Sequence, residues 1–282
     1  MKGDSPDLDK AAIRLHAIRA ARFDQQDNFI ARRCGEELIE RLTLLNLRPK
    51  AILDLGCGVG LESALLQEKF PDAVIVGADL IANDIPANAR MTQGLCAADG
   101  AELPFADDSF DLVFANLLLP FVDAQKILAE ISRVLRVGGV LTLSSFGPDT
   151  LTELAAAWGV VESDPHVHHF HDMHDLGDAL LQAGFSEPVM DVDVIGLTYL
   201  NIRKLVRDLR LLGGTNALAA RTRGLTGKTR WRAFEAAYRP MVGSDSRIRA
   251  TFELVYGIAW SRQAAGRSDG SVRVAFDGGA SS

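Results

Sequence analysis

The sequence predicts an α/β fold: a doubly wound, mostly parallel sheet of seven strands, with a helical insertion before the last strand. Three observations predict it. Short apolar runs alternate with helix-patterned runs from Ala51 to Phe146, a glycine-rich turn DLGCGVG (54–60) follows the first apolar run, and an acid stands after each of the next two.

In chain order, Ile30, Cys34, Leu38, Leu42 and Leu45 recur at helical spacing, so a helix over 29–45 leads through Pro49 into the strand AILDL. A helix follows near Leu61 to Phe70, then a strand at Val74 to Ala78, a short strand near Leu95 and a strand at Phe110 to Leu117. The helix expected at Ala124 to Arg136 carries Ile127, Leu128, Ile131, Val134 and Leu135 on one stripe, with Gly138 and Gly139 read as its left-handed cap. A strand at Val140 to Phe146 is followed by helices near Thr150 to Trp158 and Leu176 to Ala183, then a strand near Val189 to Leu197. The basic stretch after Leu200 reads as helical and precedes the β-rich TFELVYGIAW. The chain therefore divides into N-terminal helices closing over a site (1–48), a ligand-binding core (49–199), a basic helical insertion (200–249), the last strand (250–260) and a tail expected to be disordered (261–282).

Composition narrows the function. The 282 residues are 48% hydrophobic, enough for one large decorated domain. No run approaches the roughly 18 apolar residues of a membrane span, and MKGDSPDLDK is too polar for a secretory signal. Three scattered cysteines suit a reducing compartment, so a cytoplasmic location without membrane binding is expected. A formal charge of −7 argues against nucleic acid as a partner. Charge is uneven, however: Leu200 to Arg239 holds ten lysines and arginines against two acids.

The glycines run GxGxG after Asp54, and Leu61 stands where a nicotinamide fingerprint needs its third glycine. Side chains at Gly56, Gly58 and Gly60 would block ligand approach at the carboxyl edge of the sheet. Asp79, nineteen residues past Gly60, is placed to accept both ribose hydroxyls of a nucleoside, and Asp99 can read an adenine amine beside a backbone amide. Three acids and no loop lysine suit a cationic, phosphate-free nucleoside, a description that S-adenosylmethionine meets. Cys57, Leu80, Gly100 and Asn116 complete the expected cofactor contacts, and Cys57 reads as a packing residue rather than a nucleophile.

DLGCGVG, LPFADDSFDLVFAN and the RVLRVGG helix end resemble the class I methyltransferase superfamily over about Ala51 to Phe146. Downstream, SFGPDTLTEL, HVHHFHDMHDLGDALLQAGF, PVMDVD, LGGTN and ATFELVYGIAW are similar to the malonyl-[acyl-carrier protein] O-methyltransferases of the biotin pathway. The chain departs from that family in two places. Phe23 stands where a tyrosine commonly closes over the site, and NLLLPF replaces the usual Asn-Leu-x-x-Gln-Trp. The segment RAARFDQQDNF is more similar to a sister family that includes a mitochondrial complex I assembly factor reported as a protein arginine hydroxylase. The resemblance implies methylation of a malonyl thioester on acyl carrier protein. A non-catalytic or hydroxylase-like assembly factor, or a methyltransferase of another small carboxylate, are the alternatives.

A carboxylate acceptor is ionised at neutral pH and needs no general base. Phe23, Asn116, Phe121 and Phe146, with Leu117, are the candidates for a dry pocket that positions it. Five of the six histidines fall in HVHHFHDMHD, which reads as a substrate-facing loop, and no metal is expected. His166 and Tyr199 are candidate substrate contacts. Arg203, Arg207 and Arg210, at i, i+4 and i+7, are candidates for docking the acidic carrier.

Overall fold

The structure is a computed structural model that describes residues 8–87, 94–243 and 246–261. The expected tail therefore lies, beyond Ser261, outside the described residues. Its elements run α1 (Lys10–Ala20), α2 (Phe29–Arg41), β1 (Ala51–Leu55), α3 (Leu61–Lys69), β2 (Val74–Asp79), β3 (Leu95–Ala97), β4 (Phe110–Ala115), α4 (Ala124–Val134), β5 (Leu135–Phe146), α5 (Thr152–Val161), α6 (Met173–Gln182), β6 (Phe185–Tyr199), α7 (Ile202–Leu211), α8 (Lys228–Tyr238) and β7 (Ile248–Ser261).

One seven-stranded sheet has the order β3-β2-β1-β4-β5-β7-β6, parallel through β5 and antiparallel where β7 joins β5 and β6. The order reverses at β1, between β2 and β4. Such a reversal opens a crevice at the carboxyl ends of the strands, where doubly wound sheets bind ligands. Alternation puts Ile52 and Phe114 in the hydrophobic layer on one face, and Leu53 and Val113 in the layer on the other.

Helix α4 shows how a local pattern fixes its place. Asp123 caps it by accepting from the Lys126 N–H, and Ala124, Ile127, Leu128, Ile131 and Val134 are buried against the sheet. Full burial of each of the larger side chains contributes about 1.5–3 kcal/mol. The helix ends at Val134, two residues short of expectation. Leu135 is already extended, and the Gly138 backbone (φ +77°) belongs to a bulge in β5, where pairing passes from Phe110–Leu135 to Leu112–Val140. The glycine pair therefore shapes a strand irregularity rather than a helix cap. β4 likewise stops at Ala115, and Leu117 turns left-handed (φ +50°) with its N–H donated to Ser144 Oγ at 2.9 Å. A branched side chain in that region costs roughly 1–2 kcal/mol, so the Ser144 contact holds strained backbone at the mouth of the crevice.

Two segments roof the crevice. Asp9 caps α1 through the N–H groups of Ala11 and Ala12, pairs with Arg221, and bonds through its own N–H to the Ala217 carbonyl. Lys10 reaches Asp99 and Arg14 reaches Asp84, so α1 is tied to the sheet side as well. Asn28 caps α2 and donates to the Leu211 carbonyl at 3.2 Å. The insertion enters through α7, capped by Asn201, which buries Ile202, Leu205, Leu209 and Leu211.

Candidate active site

A cavity of about 250 Å³ opens at the carboxyl ends of β1, β2 and β4. Gly56 (φ +76°) and Gly58 (φ +51°) take the left-handed turn that β1 needs, and Gly56 N–H is fixed by the Ala78 carbonyl at 2.8 Å. A Cβ built on Gly58 meets no atom within 4 Å, so this part of the loop faces open space in the cavity wall. Gly60 (φ +89°) is the left-handed cap residue of α3 and turns the chain between Val59 and Leu61, which line the cavity.

The wall is acidic. Asp54 is buried and accepts from Ser63 Oγ at 2.5 Å. Asp79 accepts from the N–H groups of Gly58 and Ile81, each at 2.9 Å, which spends one lone pair per oxygen and leaves the others for hydroxyl groups. Glu62, which the sequence reading passed over, stands half-buried in the same wall and accepts from Asn116 Nδ2 at 2.8 Å. Burial, then the charge of Glu62, and further the charge of Asp79, push Asp54 up to about 8 despite the Ser63 hydrogen bond. Burial also raises Glu62 and Asp79. A cationic ligand would relieve all three. Among the described residues lining this cavity none is lysine or arginine, which disfavours phosphate. The donor set thus fits a nucleoside bearing a sulfonium.

Leu80, Asp99 and Gly100 also line the cavity, and Asp99 sits lower than an ordinary carboxyl through the Ala101 N–H and Lys10. Cys57 lines it too, but burial pushes its thiol well up, and its sulfur fills the space beside Gly77. Asn116 is fully committed: Nδ2 donates to the Ala31 carbonyl at 2.9 Å and to Glu62, while Oδ1 accepts from Ser144 Oγ at 2.7 Å.

A second cavity, of about 210 Å³, adjoins the first, and Phe121 and Leu212 line both. Its walls are aromatic. Phe146 meets Phe170 edge-on at 5.5 Å, and Trp158 lies stacked between Phe234 (4.3 Å) and His166 (3.8 Å). Glu162 contacts His166 Nε2 at 2.5 Å and also accepts from Arg230, fixing that stack from outside. His168 accepts the Ala217 N–H at 2.9 Å on Nε2 and bonds the Pro120 backbone with its other side, so burial keeps it neutral and its acceptor nitrogen is used. Again no lysine or arginine lines the chamber.

Two expected pocket residues lie elsewhere. Phe23 is 41% exposed and lines neither cavity. The chain turns outward after α1, and Ala17, Ala20, Ala21 and Gln25 face the ligand space instead. Tyr199 is buried at the end of edge strand β6 and also lines neither, and burial beside Asp208 pushes its hydroxyl up. Arg203, Arg207 and Arg210 share the exposed side of α7, with Arg207 paired to Asp27 at 2.8 Å.

Residues 53–143 match a methyltransferase-domain family. The malonyl-[acyl-carrier protein] O-methyltransferase of Laribacter hongkongensis is 39% identical over 266 residues, covering 89% of each chain. The chain belongs to this O-methyltransferase family. The Legionella pneumophila enzyme of the same description is also 39% identical, over 82% of this chain and 84% of its own. The fold is shared more widely: the YcgJ protein of Bacillus subtilis, 16% identical, superposes with a TM-score of 0.57 over 81% of this chain and 99% of its own. The protein is an S-adenosylmethionine-dependent methyltransferase, and the acid-walled cavity at DLGCGVG has the chemistry for that cofactor. No helix among the described residues is long and apolar enough to cross a membrane.

Proposed function

We propose that the protein methylates the free carboxylate of a malonyl thioester on acyl carrier protein in the cytoplasm. The observation that carries this reading is the aromatic chamber that shares Phe121 and Leu212 with the cofactor cavity; among the described residues it has no lysine or arginine in its walls, and its two histidines are engaged, His168 with the Ala217 N–H and His166 with Glu162. Such a chamber suits an acceptor that arrives ionised, which needs no deprotonation. The names of relatives 35–39% identical support the same substrate.

When bound, S-adenosylmethionine supplies an electrophilic methyl group on a positively charged sulfur. Asp79 would take the ribose hydroxyls, and Asp54 and Glu62 would balance the ligand's positive charge. Leu80, Asp99 and Gly100 would frame the adenine, and Asn116 would hold Glu62 and the strained Leu117 turn in place. Phe121 and Phe146 would exclude water from the acceptor, with His166 buttressing Trp158. Opposite unit charges about 4 Å apart attract by roughly 4 kcal/mol at an effective dielectric of about 20, against roughly 1 in water. With no protein cation competing for it, the carboxylate is drawn toward the sulfonium, and orientation does the remainder of the catalysis. The exposed arginines Arg203, Arg207 and Arg210 would steer the acidic carrier.

Mass spectrometry of malonyl-carrier protein incubated with enzyme and cofactor tests this. A gain of one methyl group on the acyl chain is expected. Cofactor binding without any product would instead favour a scaffold role and overturn the proposal.

A further inference from the structure

An acyl group tethered to a carrier must reach the chamber from the surface through an opening long enough for the tether. The chamber has two neighbouring surface cavities. One, reached past His166, Thr215 and Asn216, contains Arg221 and Arg223, but both arginines share Asp9, and Asp164 faces the same space. The other, about 430 Å³, lies between α7 and α8 and shares Trp231 with the chamber. Among the described residues it is lined by Arg203, Lys228 and Arg232 with Glu235 as its single acid, and no ion pair between described residues engages any of the three cations. Lys228 and Arg232 are one turn apart on α8, so they present their charges together.

Resting on the malonyl-carrier reading, we propose that this cationic cavity binds the phosphodiester of the carrier's phosphopantetheine arm, and that the arm enters the chamber past Trp231. The arm has one fixed anionic group near the carrier surface and an uncharged, flexible remainder. The cavity and chamber offer the same sequence: cations outside, an indole wall, then an aromatic interior. The charge balance decides between the two openings, since the first has its cations already neutralised and the second does not.

The test uses full-length enzyme with Lys228→Glu/Arg232→Glu, and Arg48→Glu as an exposed charge reversal at the opposite edge of the sheet. Three acceptors are compared at low salt: malonyl-carrier protein, malonyl-phosphopantetheine and dephosphorylated malonyl-pantetheine. The double variant should raise KM at least about tenfold for the first two, leave the third within about twofold, and leave cofactor affinity by calorimetry unchanged. Lys228→Gln/Arg232→Gln should fall between. Unchanged KM for all three, equal losses for all three, or a loss confined to the intact carrier would each overturn the phosphodiester assignment. Wild-type enzyme inactive on all three would instead sink the malonyl reading itself.

Discussion

The two cavities meet at Phe121 and Leu212, yet they are made in opposite ways. The cofactor side sets the acids Asp54, Glu62, Asp79 and Asp99 among apolar side chains and is built from backbone turns within the span from Asp54 to Asn116, with α1, α2 and the insertion as its lid. The acceptor side is apolar and assembled from Phe146, Trp158, Phe170, Phe234 and Phe252, which are brought together only by tertiary packing. One side carries charge strain that a ligand relieves, whereas the other is a packed part of the core. Substitutions should therefore damage different properties: ligand affinity on the first side, folding stability on the second.

The largest expected effect lies on the aromatic side. Phe234 is fully buried against Trp158 and Tyr238, so Phe234→Ala should lower unfolding free energy by about 3–5 kcal/mol in denaturant titration. Folded variant should still bind cofactor. A variant that kept its stability but lost cofactor would erase the distinction between the two cavities.

On the acidic side, Asp79→Asn should weaken S-adenosylmethionine by about 10- to 100-fold in calorimetry, the scale of one or two hydrogen bonds to a charged group. The cofactor-free variant should melt only modestly lower than wild type: the amide keeps one acceptor oxygen for the Gly58 and Ile81 N–H groups and loses the other, a cost partly offset by removing a buried charge. A large drop in melting temperature would make Asp79 a structural residue first.

The fold and the acid-lined cavity were legible because their signals are contiguous. A strand, three glycines, a helix and spaced acids lie in sequence order, and Asp54, Asp79 and Asp99 all reach the cavity. Glu62 was not, because an acid in the first turn of a helix ordinarily serves the helix itself; only its phase relative to Asn116 brings it to the cavity wall. The chamber was half legible. Phe121, Phe146 and His166 were named, but Trp158, Trp231 and Phe234 sit on helices whose apolar stripes read equally well as core. Phe23 and Tyr199 line neither cavity for a related reason. The direction of an aromatic side chain just past a helix end, or on a long edge strand, depends on packing partners that lie far away in sequence.

Acidity supplies a subtler probe. With Asp54 raised to about 8, the cofactor-free protein holds a proton there that a bound cation expels. Affinity for S-adenosylmethionine should therefore climb as pH rises from 6 toward 8, by at most about tenfold per unit, with proton release visible as buffer-dependent binding heat. S-adenosylhomocysteine, lacking the sulfonium charge, should show a shallower climb. The folded state binds the extra proton, so this group's contribution to cofactor-free stability is complete below the ordinary carboxyl range and is lost as pH passes through about 8. Equal pH slopes for the two ligands would mean that the acids do not answer the sulfonium.

The smallest effect should come from Phe23→Ala. The family commonly places a closing tyrosine there, but this ring is 41% exposed and lines neither cavity. The lid is instead held by Lys10–Asp99, Arg14–Asp84 and Arg221–Asp9, and its inner surface is Ala17, Ala20 and Ala21. Truncating an exposed ring that seals nothing should shift stability by less than about 0.5 kcal/mol and leave kcat and cofactor affinity within about twofold. A tenfold fall in kcat at unchanged stability would show that the lid closes further during turnover and carries Phe23 inward, extending the aromatic chamber onto the cofactor side and blurring the boundary at Phe121.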